Sequence, residues 1–254
     1  MKKDKAVLIF AFLLTSAIAV SLLHVFTGRF TTYPRYKAFV ERVIDGDTLL
    51  TREGENIRLL GINAPEKGQY FYEEAKQALQ LLVENKTVEL EIDVTNRDKY
   101  GRSLRYLFVD NTFVNLWMIE NGYAHTYRDS SNTRYKQKLD AVEENAKERQ
   151  VGIWKLSNFS KCFFISDFKF KGSEHITFQS TCGYINISGW YVEDEANTVY
   201  RFPTMEVERI TLHTGYGDDN STDLFWNHIS VWNDEGDTVF LRDDYSLLVL
   251  SYTY

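Results

Sequence analysis

The 254-residue sequence predicts a small α+β barrel that carries helices, followed by an all-β sandwich. In the first part of the chain, apolar and polar residues alternate over segments 88–94 and 104–108, as they do in half-buried strands. Between other predicted strands, Tyr72–Glu84 carries apolar residues at helical spacing on one face. After residue 157 the helical spacing disappears, and short strands separated by turn clusters remain. The aromatic content of 15% fits a chain rich in strands.

Three further elements complete the predicted barrel. Segment 57–62 has the apolar character of a strand. Leu116–Asn121 is predicted as a short helix, because Gly122 is a usual C-terminal stop. Thr133–Gln150 is predicted as a longer, charged helix. Strands with helices on the outside therefore favour a small barrel of the α+β type.

The second part of the chain is predicted to contain strands only. Predicted strands are Phe163–Phe170, His175–Phe178, Tyr184–Ile187, Ile210–His213, His228–Trp232, Thr238–Leu241 and Leu247–Tyr252. Gly189 permits a tight bend, and Trp190 and Trp232 are large enough to fill the interior of a sandwich. Asn233–Gly236 is predicted to form a hairpin turn.

The charge distribution divides the chain in the same way. Residues 27–157 hold 20 basic and 20 acidic residues, whereas residues 158–254 hold 6 basic and 15 acidic residues. The net charge of −7 excludes an overall basic field that would attract nucleic acid. Together with the strand pattern, the charges predict a linker over 27–35, a first domain over 36–157 and a second over 158–254.

The N-terminal 26 residues predict export. Three lysines within Met1–Lys5 precede Ala6–Phe26, an uncharged run of 21 residues that would span about 30 Å as a helix. The small residues in Ala17–Ala19 would suit a cleaved signal peptide, and the continued apolar character to Phe26 would suit an uncleaved membrane anchor. Both alternatives place the rest of the chain at the cell surface or outside the cell.

The two cysteines, Cys162 and Cys182, lie in no metal-binding spacing. In an exported chain, two cysteines 20 residues apart are expected to form one structural disulfide. Two buried free thiols are the alternative.

Four short segments carry the residues that chemistry requires. They are Val43–Thr48, Arg58–Glu66, Asp98–Arg102 and Tyr123–Tyr127. Each has a structural interpretation when it is taken singly. The Asp-Gly-Asp sequence is typical of a hairpin turn, Glu66 could cap the following helix, and the Tyr-Gly-Arg sequence could be another turn.

Taken together, the segments supply the groups needed to cleave a phosphodiester. Arg58 and Arg102 can place forked donors on the oxygens where charge accumulates in the transition state. Glu66 is the only acidic side chain of its segment and can act as the base for an attacking water. Asp47 and Asn63 offer a carboxylate and an amide oxygen, which suit a hard cation such as Ca²⁺. Arg58, Lys99, Arg102 and Arg105 are expected to make the cleft cationic.

In this order the segments resemble the thermonuclease family, also called staphylococcal nuclease-like domains, over roughly residues 36–154. The resemblance implies an OB-fold barrel with helices and a Ca²⁺-dependent hydrolase of DNA and RNA that leaves 5′-hydroxyl and 3′-phosphate ends. By position, it assigns Arg58, Glu66 and Arg102 to catalysis, Asp47, Asn63 and the Ala64 carbonyl to the metal, and Lys99, Tyr100 and Tyr127 to the bound nucleotide. An aromatic ring at such a position can stack on any base.

One departure weakens the expected metal site, since the best-known members of this family have an aspartate where this chain has Asn63. The amide oxygen remains a ligand, but a negative charge is lost, so weaker Ca²⁺ binding is expected. A non-catalytic barrel that binds nucleic acid or the cell envelope is the alternative.

The second part of the chain resembles a lamin-tail domain, an immunoglobulin-like sandwich. The resemblance lies in Ile187–Trp190, Phe202–Pro203 and Val231–Asp243. It implies a protein or envelope partner for this domain, since the excess of acidic residues argues against direct contact with a phosphate backbone.

Overall fold

The computed structural model describes residues 33–128 and 131–254. The first eight strands and three helices of this part build a barrel with helices packed on it. The strands are β1 (Arg35–Val43), β2 (Thr48–Thr51), β3 (Asn56–Leu59), β4 (Ile62–Asn63), β5 (Thr87–Glu91), β6 (Ser103–Val109), β7 (Thr112–Phe113) and β8 (His125–Thr126). The helices are α1 (Tyr72–Val83), α2 (Val114–Glu120) and α3 (Lys136–Glu148), with a short 3₁₀ turn at Gly152–Trp154.

Five of these strands close on themselves. Strand β1 pairs antiparallel with β2 and β5, β2 pairs with β3, and β5 pairs with β6. The parallel pairing of β3 with β6 closes the ring. The interior is filled by side chains without solvent exposure, among them Val40, Leu49, Ile57, Leu90 and Leu107. The OB-fold barrel with helices that the sequence predicts is therefore confirmed.

The predicted helices occur at the predicted places. Helix α1 ends one residue before the predicted limit and buries Ala75, Leu79 and Val83 against the barrel core. The third helix is shorter than the predicted Thr133–Gln150, because the chain before Lys136 forms turns. The predicted strand over residues 57–62 is divided into β3 and β4 at Gly61, whose φ of +72° lies in the left-handed region.

The remaining strands are referred to as the C-terminal sheets, residues 163–253. They are β9 (Phe163–Lys169), β10 (His175–Ser180), β11 (Ile185–Asn186), β12 (Tyr191–Glu193), β13 (Val199–Arg201), β14 (Glu206–Val207), β15 (Arg209–His213), β16 (Asp223–Phe225), β17 (Thr238–Arg242) and β18 (Leu248–Thr253). Two four-stranded sheets, β16-β15-β10-β9 and β13-β12-β17-β18, share one apolar core that includes Trp190 and Trp232. An immunoglobulin-like sandwich of the lamin-tail type stays a prediction.

The predicted strand His228–Trp232 is wrong. This segment is irregular, and its backbone donors bind a side chain instead of a neighbouring strand. The backbone N–H groups of Val231 and Trp232 donate to Glu174 Oε2 at 3.0 and 3.3 Å, and the Ser230 hydroxyl donates to Glu174 Oε1 at 2.6 Å. A single buried carboxylate thus satisfies donors that a strand would have satisfied.

The barrel and the C-terminal sheets belong to one compact unit, residues 35–254. Trp154, which follows α3, is fully buried in a cluster with Ile153, Phe240 and Leu248. Arg242 of β17 donates to the Ile153 carbonyl at 2.8 Å and pairs with Glu193 at 2.6 Å. The contact therefore combines apolar burial with a buried ion pair.

The predicted N-terminal segment 1–26 and most of the predicted linker lie outside the described residues. In the described part of the chain, none of the helices is long and apolar enough to span a bilayer.

Cys162 and Cys182 form a disulfide with a Cα–Cα distance of 5.3 Å, which confirms the predicted pairing. Closing a loop of 20 residues lowers the entropy of the unfolded chain, so we expect loss of the bond to cost about 3 kcal/mol of unfolding free energy. Urea unfolding of the C162A/C182A variant checks this value. The wild-type protein in reducing buffer is the second arm, and equal midpoints for oxidised and reduced protein would contradict the prediction.

Candidate active site

A cleft of about 870 Å³ opens where the loops of the barrel meet. Seven of the nine predicted site residues line it: Arg58, Asn63, Glu66, Lys99, Tyr100, Arg102 and Tyr127. The other two, Asp47 and Ala64, are buried beside it and are hydrogen-bonded to each other, and Asp47 also pairs with the lining residue Arg58. The structure therefore brings all nine residues to one place.

Pairing of short strands explains this convergence. Arg58 lies on β3, and after the bend at Gly61 the chain returns as β4 with Asn63. Strand β4 pairs with β8, opposing Asn63 to His125. The N–H of Tyr127 then donates to the Gly61 carbonyl at 3.0 Å, which places this tyrosine at the cleft.

The Asp-Gly-Asp turn aims Asp47 at the same point. Asp45 Oδ1 accepts the N–H of Asp47 at 3.1 Å, and Asp47 Oδ2 accepts the N–H of Ala64 at 2.7 Å. A Cβ at Gly46 would lie 2.6 Å from the Ala64 Cβ and 2.9 Å from the Ala75 Cβ. The glycine is therefore required by close packing against the barrel and α1, and its φ is not in the left-handed region.

The Arg58 guanidinium connects the candidate metal ligands. Nη1 lies 3.0 Å from Asp47 Oδ2 and donates to the Ile62 carbonyl at 2.8 Å, while Nη2 donates to Asn63 Oδ1 at 2.5 Å. Its side chain is only 11% exposed. One cation thus holds a buried carboxylate and a buried amide oxygen together at the wall of the cleft.

Three oxygen donors at this wall of the cleft fit a hard cation by their chemistry. They are one carboxylate from Asp47, one amide oxygen from Asn63 and the carbonyl of Ala64. Burial raises the pKa of Asp47 to about 6, although the charge of Arg58 acts in the opposite direction. An environment that penalises an isolated carboxylate favours a neighbouring cation. The described residues contain no group of three acidic, histidine or cysteine side chains that could hold a metal ion, so this candidate set depends on amide and carbonyl oxygens beside a single carboxylate.

The loop before β6 holds Arg102 by means of Asp98. Asp98 Oδ1 accepts the N–H groups of Tyr100 and Arg102, both at 2.9 Å, and Oδ2 accepts Arg102 Nε at 2.7 Å. Burial opposes ionisation of Asp98, but the hydrogen bonds from Arg102 outweigh it and lower the pKa of this carboxyl group. The Asp-Lys-Tyr-Gly-Arg segment is therefore a turn, in agreement with its structural interpretation. The same turn also presents Lys99 and Tyr100 to the cleft.

Glu66 lies on the loop before α1, and its side chain is exposed at the cleft. Helix α1 begins at Tyr72, and its first turn has its own acidic residues, Glu73 and Glu74. Phe71 is the N-cap residue, and no side-chain hydrogen bond caps the helix, so Glu66 does not have the capping role of its structural interpretation.

The prediction that Arg105 belongs to the cationic cluster of the cleft is wrong. Arg105 is 4% exposed and is turned away from the cleft, since it pairs with Glu55 at 3.0 Å and donates to the Tyr36 hydroxyl at 2.6 Å. All seven residues of β6 are buried, because one face packs in the barrel core and the other in a second apolar cluster, so burial does not mark a solvent-exposed face on this strand.

Sequence reasoning missed several lining residues. They are Thr95, Arg97, Leu104, Arg128, Ser131 and Ala196. Arg97 and Arg128 adjoin predicted site segments and could have been found by extending each segment by one residue. Ala196 belongs to the C-terminal sheets, and no local motif marks it.

Comparison with known proteins identifies the segment that carries eight of the nine predicted site residues, all except Asp47. Residues 56–156 match the family described as Staphylococcal nuclease homologue. The thermonuclease of Staphylococcus intermedius is 31% identical over 124 residues, which cover 45% of this chain and 74% of the thermonuclease. The chain belongs to the staphylococcal nuclease homologue family. The micrococcal nuclease of Shigella flexneri is 32% identical over 133 residues, covering 47% of this chain and 74% of that protein.

A third relative is an uncharacterized endonuclease of Haemophilus influenzae, 36% identical over 124 residues, or 47% of this chain and 66% of that protein. The family match ends at residue 156, before the first strand of the C-terminal sheets. The staphylococcal nuclease-like resemblance is confirmed. The lamin-tail resemblance and the roles of individual site residues stay predictions.

Proposed function

We propose that this chain is a Ca²⁺-dependent endonuclease that hydrolyses phosphodiester bonds of DNA and RNA and leaves 5′-hydroxyl and 3′-phosphate ends. The observation that carries the proposal is one cleft lined by two arginines, a glutamate and an asparagine, with a buried aspartate behind them. The names of the related nucleases support it.

Each polar residue has a role in this proposal. Glu66, exposed and able to accept a proton, activates the attacking water. Arg58 and Arg102 donate to the phosphate oxygens as negative charge accumulates on them. Both guanidiniums are held by carboxylates, Asp47 and Asp98, so their positions are set before substrate arrives. Such preorganisation avoids a cost at the moment of reaction.

Asp47, Asn63 and the Ala64 carbonyl would hold the calcium ion. When bound, the ion neutralises charge on the phosphate and favours ionisation of a nearby water. Asp45 supports this set from behind, because its carboxylate fixes the backbone N–H of Asp47.

Two tyrosines and a lysine would bind the nucleotide. Tyr100 is 72% exposed and Tyr127 is 37% exposed, so both rings can stack on bases from solvent. The Lys99 ammonium lies 5.1 Å from the centre of the Tyr100 ring, where it can contact a phosphate beside a stacked base. Stacking without base-edge contacts supports weak sequence preference.

Removal of the metal is expected to stop cleavage. Purified protein comprising residues 30–254 should convert supercoiled plasmid to fragments with CaCl₂ and leave it intact with excess chelator, because two of the candidate ligands, Asp47 and Asn63, lie beside the phosphate-binding Arg58. Gel electrophoresis of the plasmid measures this. Restoring CaCl₂ is the control, and cutting at equal rates with and without chelator would contradict the metal dependence. Plasmid that is retarded but uncut under every divalent ion tested would favour the non-catalytic binding barrel.

We also propose that the chain is exported and either secreted or anchored in the membrane through residues 6–26. The basic start and uncharged run support this proposal, as does the disulfide, since such bonds persist in oxidising compartments. The mass of the mature N-terminus distinguishes a cleaved signal from an anchor. For the acidic C-terminal sheets we propose a protein or envelope partner.

A further inference from the structure

A hairpin of the C-terminal sheets contacts the candidate metal ligands. It comprises residues 194–198, between β12 and β13, and is called the 194–198 hairpin below. Its Glu195 carbonyl accepts the Asn63 side-chain N–H at 2.9 Å, and its Asn197 side-chain N–H donates to the Ala64 carbonyl at 3.3 Å. Ala196, at the tip, is exposed and lines the cleft.

The first contact decides which atom of Asn63 faces the site. The Glu195 carbonyl can only accept, so it binds the NH₂ group of the Asn63 amide and leaves Oδ1 directed to Arg58. Asn63 is 6% exposed, so an aspartate here would bury a carboxylate oxygen against a carbonyl oxygen. The hairpin therefore favours asparagine over aspartate at this position, because only the amide can donate to the Glu195 carbonyl.

The hairpin itself is firmly held. Asp194 Oδ1 accepts the N–H groups of Ala196 and Thr198 at 2.9 and 2.7 Å. The side chain of Glu195 is 2% exposed and pairs with Arg128 at 2.5 Å. Arg128 directly follows Tyr127, the tyrosine that lines the cleft. The hairpin thus binds both sides of the cleft wall, at β4 and after β8.

We propose that the 194–198 hairpin is a positioning element of the nuclease site. It fixes the Asn63 amide with Oδ1 directed to Arg58, holds the Ala64 carbonyl through Asn197, and forms a wall of the substrate cleft with Ala196. This inference rests on the proposed function, and it makes the C-terminal sheets part of the site instead of a separate binding module.

Two matched asparagines test the positioning role in the full chain. Asn197 and Asn227 both have φ in the left-handed region, at +64° and +62°, so glycine fits the backbone at either place. Asn197→Gly removes the donor to Ala64, and we expect Ca²⁺ binding to weaken about tenfold. Asn227, exposed and absent from the cleft lining, provides the control, and Asn227→Gly is expected to bind Ca²⁺ like the wild type. Isothermal titration with CaCl₂ measures affinity, and thermal unfolding of each variant measures stability.

The outcomes separate the two proposals. A wild-type protein that cleaves plasmid, with Asn197→Gly keeping wild-type Ca²⁺ affinity, overturns the positioning role and leaves the nuclease proposal standing. A lower melting temperature with unchanged affinity also overturns the positioning role, because a merely structural contact would behave in this way. A wild-type protein that neither binds Ca²⁺ nor cleaves overturns the proposed function, and this inference with it.

The cleft wall is tested at Ala196, whose exposed side chain allows substitution without loss of folding. Ala196→Glu adds a negative charge beside the substrate, and Ala196→Gln adds the same bulk without charge. We expect KM for DNA, measured at saturating Ca²⁺, to be about fivefold higher in the glutamate variant than in the glutamine variant. Equal KM values for the two variants would show that the tip does not face the substrate and would overturn this part of the proposal.

Discussion

Replacing Glu66 with glutamine is expected to lower the rate of DNA cleavage about 10²- to 10⁴-fold. Glutamine keeps the size of the side chain but cannot accept the proton of the attacking water. Because Glu66 is exposed, the free energy of unfolding should change by less than about 0.5 kcal/mol. Single-turnover cleavage at saturating Ca²⁺, together with urea unfolding, measures both quantities.

The matched control is Glu73→Gln, at another exposed glutamate, which lies in the first turn of α1 and does not line the cleft. Its cleavage rate should equal that of the wild type. If Glu66→Gln cleaves as fast as Glu73→Gln, another group is the base and the assignment of Glu66 is wrong.

Substitution of either arginine is expected to lower activity, but the two substitutions should destabilise the protein to different extents. Arg58→Ala and Arg102→Ala should each lower kcat/KM about 10²- to 10³-fold, because each removes donors to the phosphate in the transition state. Arg58→Ala also leaves Asp47 without its partner in a site that is 5% exposed, which should cost about 3–5 kcal/mol of unfolding free energy. The Arg102–Asp98 pair is partly solvated, so its loss should cost about 1 kcal/mol or less.

Kinetics and urea unfolding of both variants check this contrast. Arg42→Ala, on the exposed face of β1, is the control and should leave activity and stability unchanged. Equal destabilisation by Arg58→Ala and Arg102→Ala would mean that the buried ion pair does not hold Asp47 in place.

The candidate site could be predicted from sequence because its groups lie in short segments with local structural causes. Gly46 permits the close packing that aims Asp47, Gly61 divides two strands, and Asp98 folds the turn that carries Arg102. Because each of these effects acts within a few residues, a short sequence motif is enough to predict it.

Other features depend on tertiary contacts that no local pattern records. The bond between Asn63 and Glu195 joins residues 132 positions apart, in a region with no sequence motif of its own. The segment around Trp232 has the apolar character of a strand, but Glu174, 58 residues earlier, binds its backbone donors. Arg105 has the charge of a phosphate ligand, and only its pairing with Glu55 shows that it is part of a buried contact away from the cleft.

The apolar cluster around Trp154 has a consequence for the evolution of this architecture. Catalytic and accessory modules joined by a flexible tether can be exchanged by recombination, since neither depends on the other for burial. Here a substitute module would have to supply the Phe240 ring and the Arg242 donor, or leave Trp154 facing water. Descendants of this chain are therefore expected to inherit or lose both parts together.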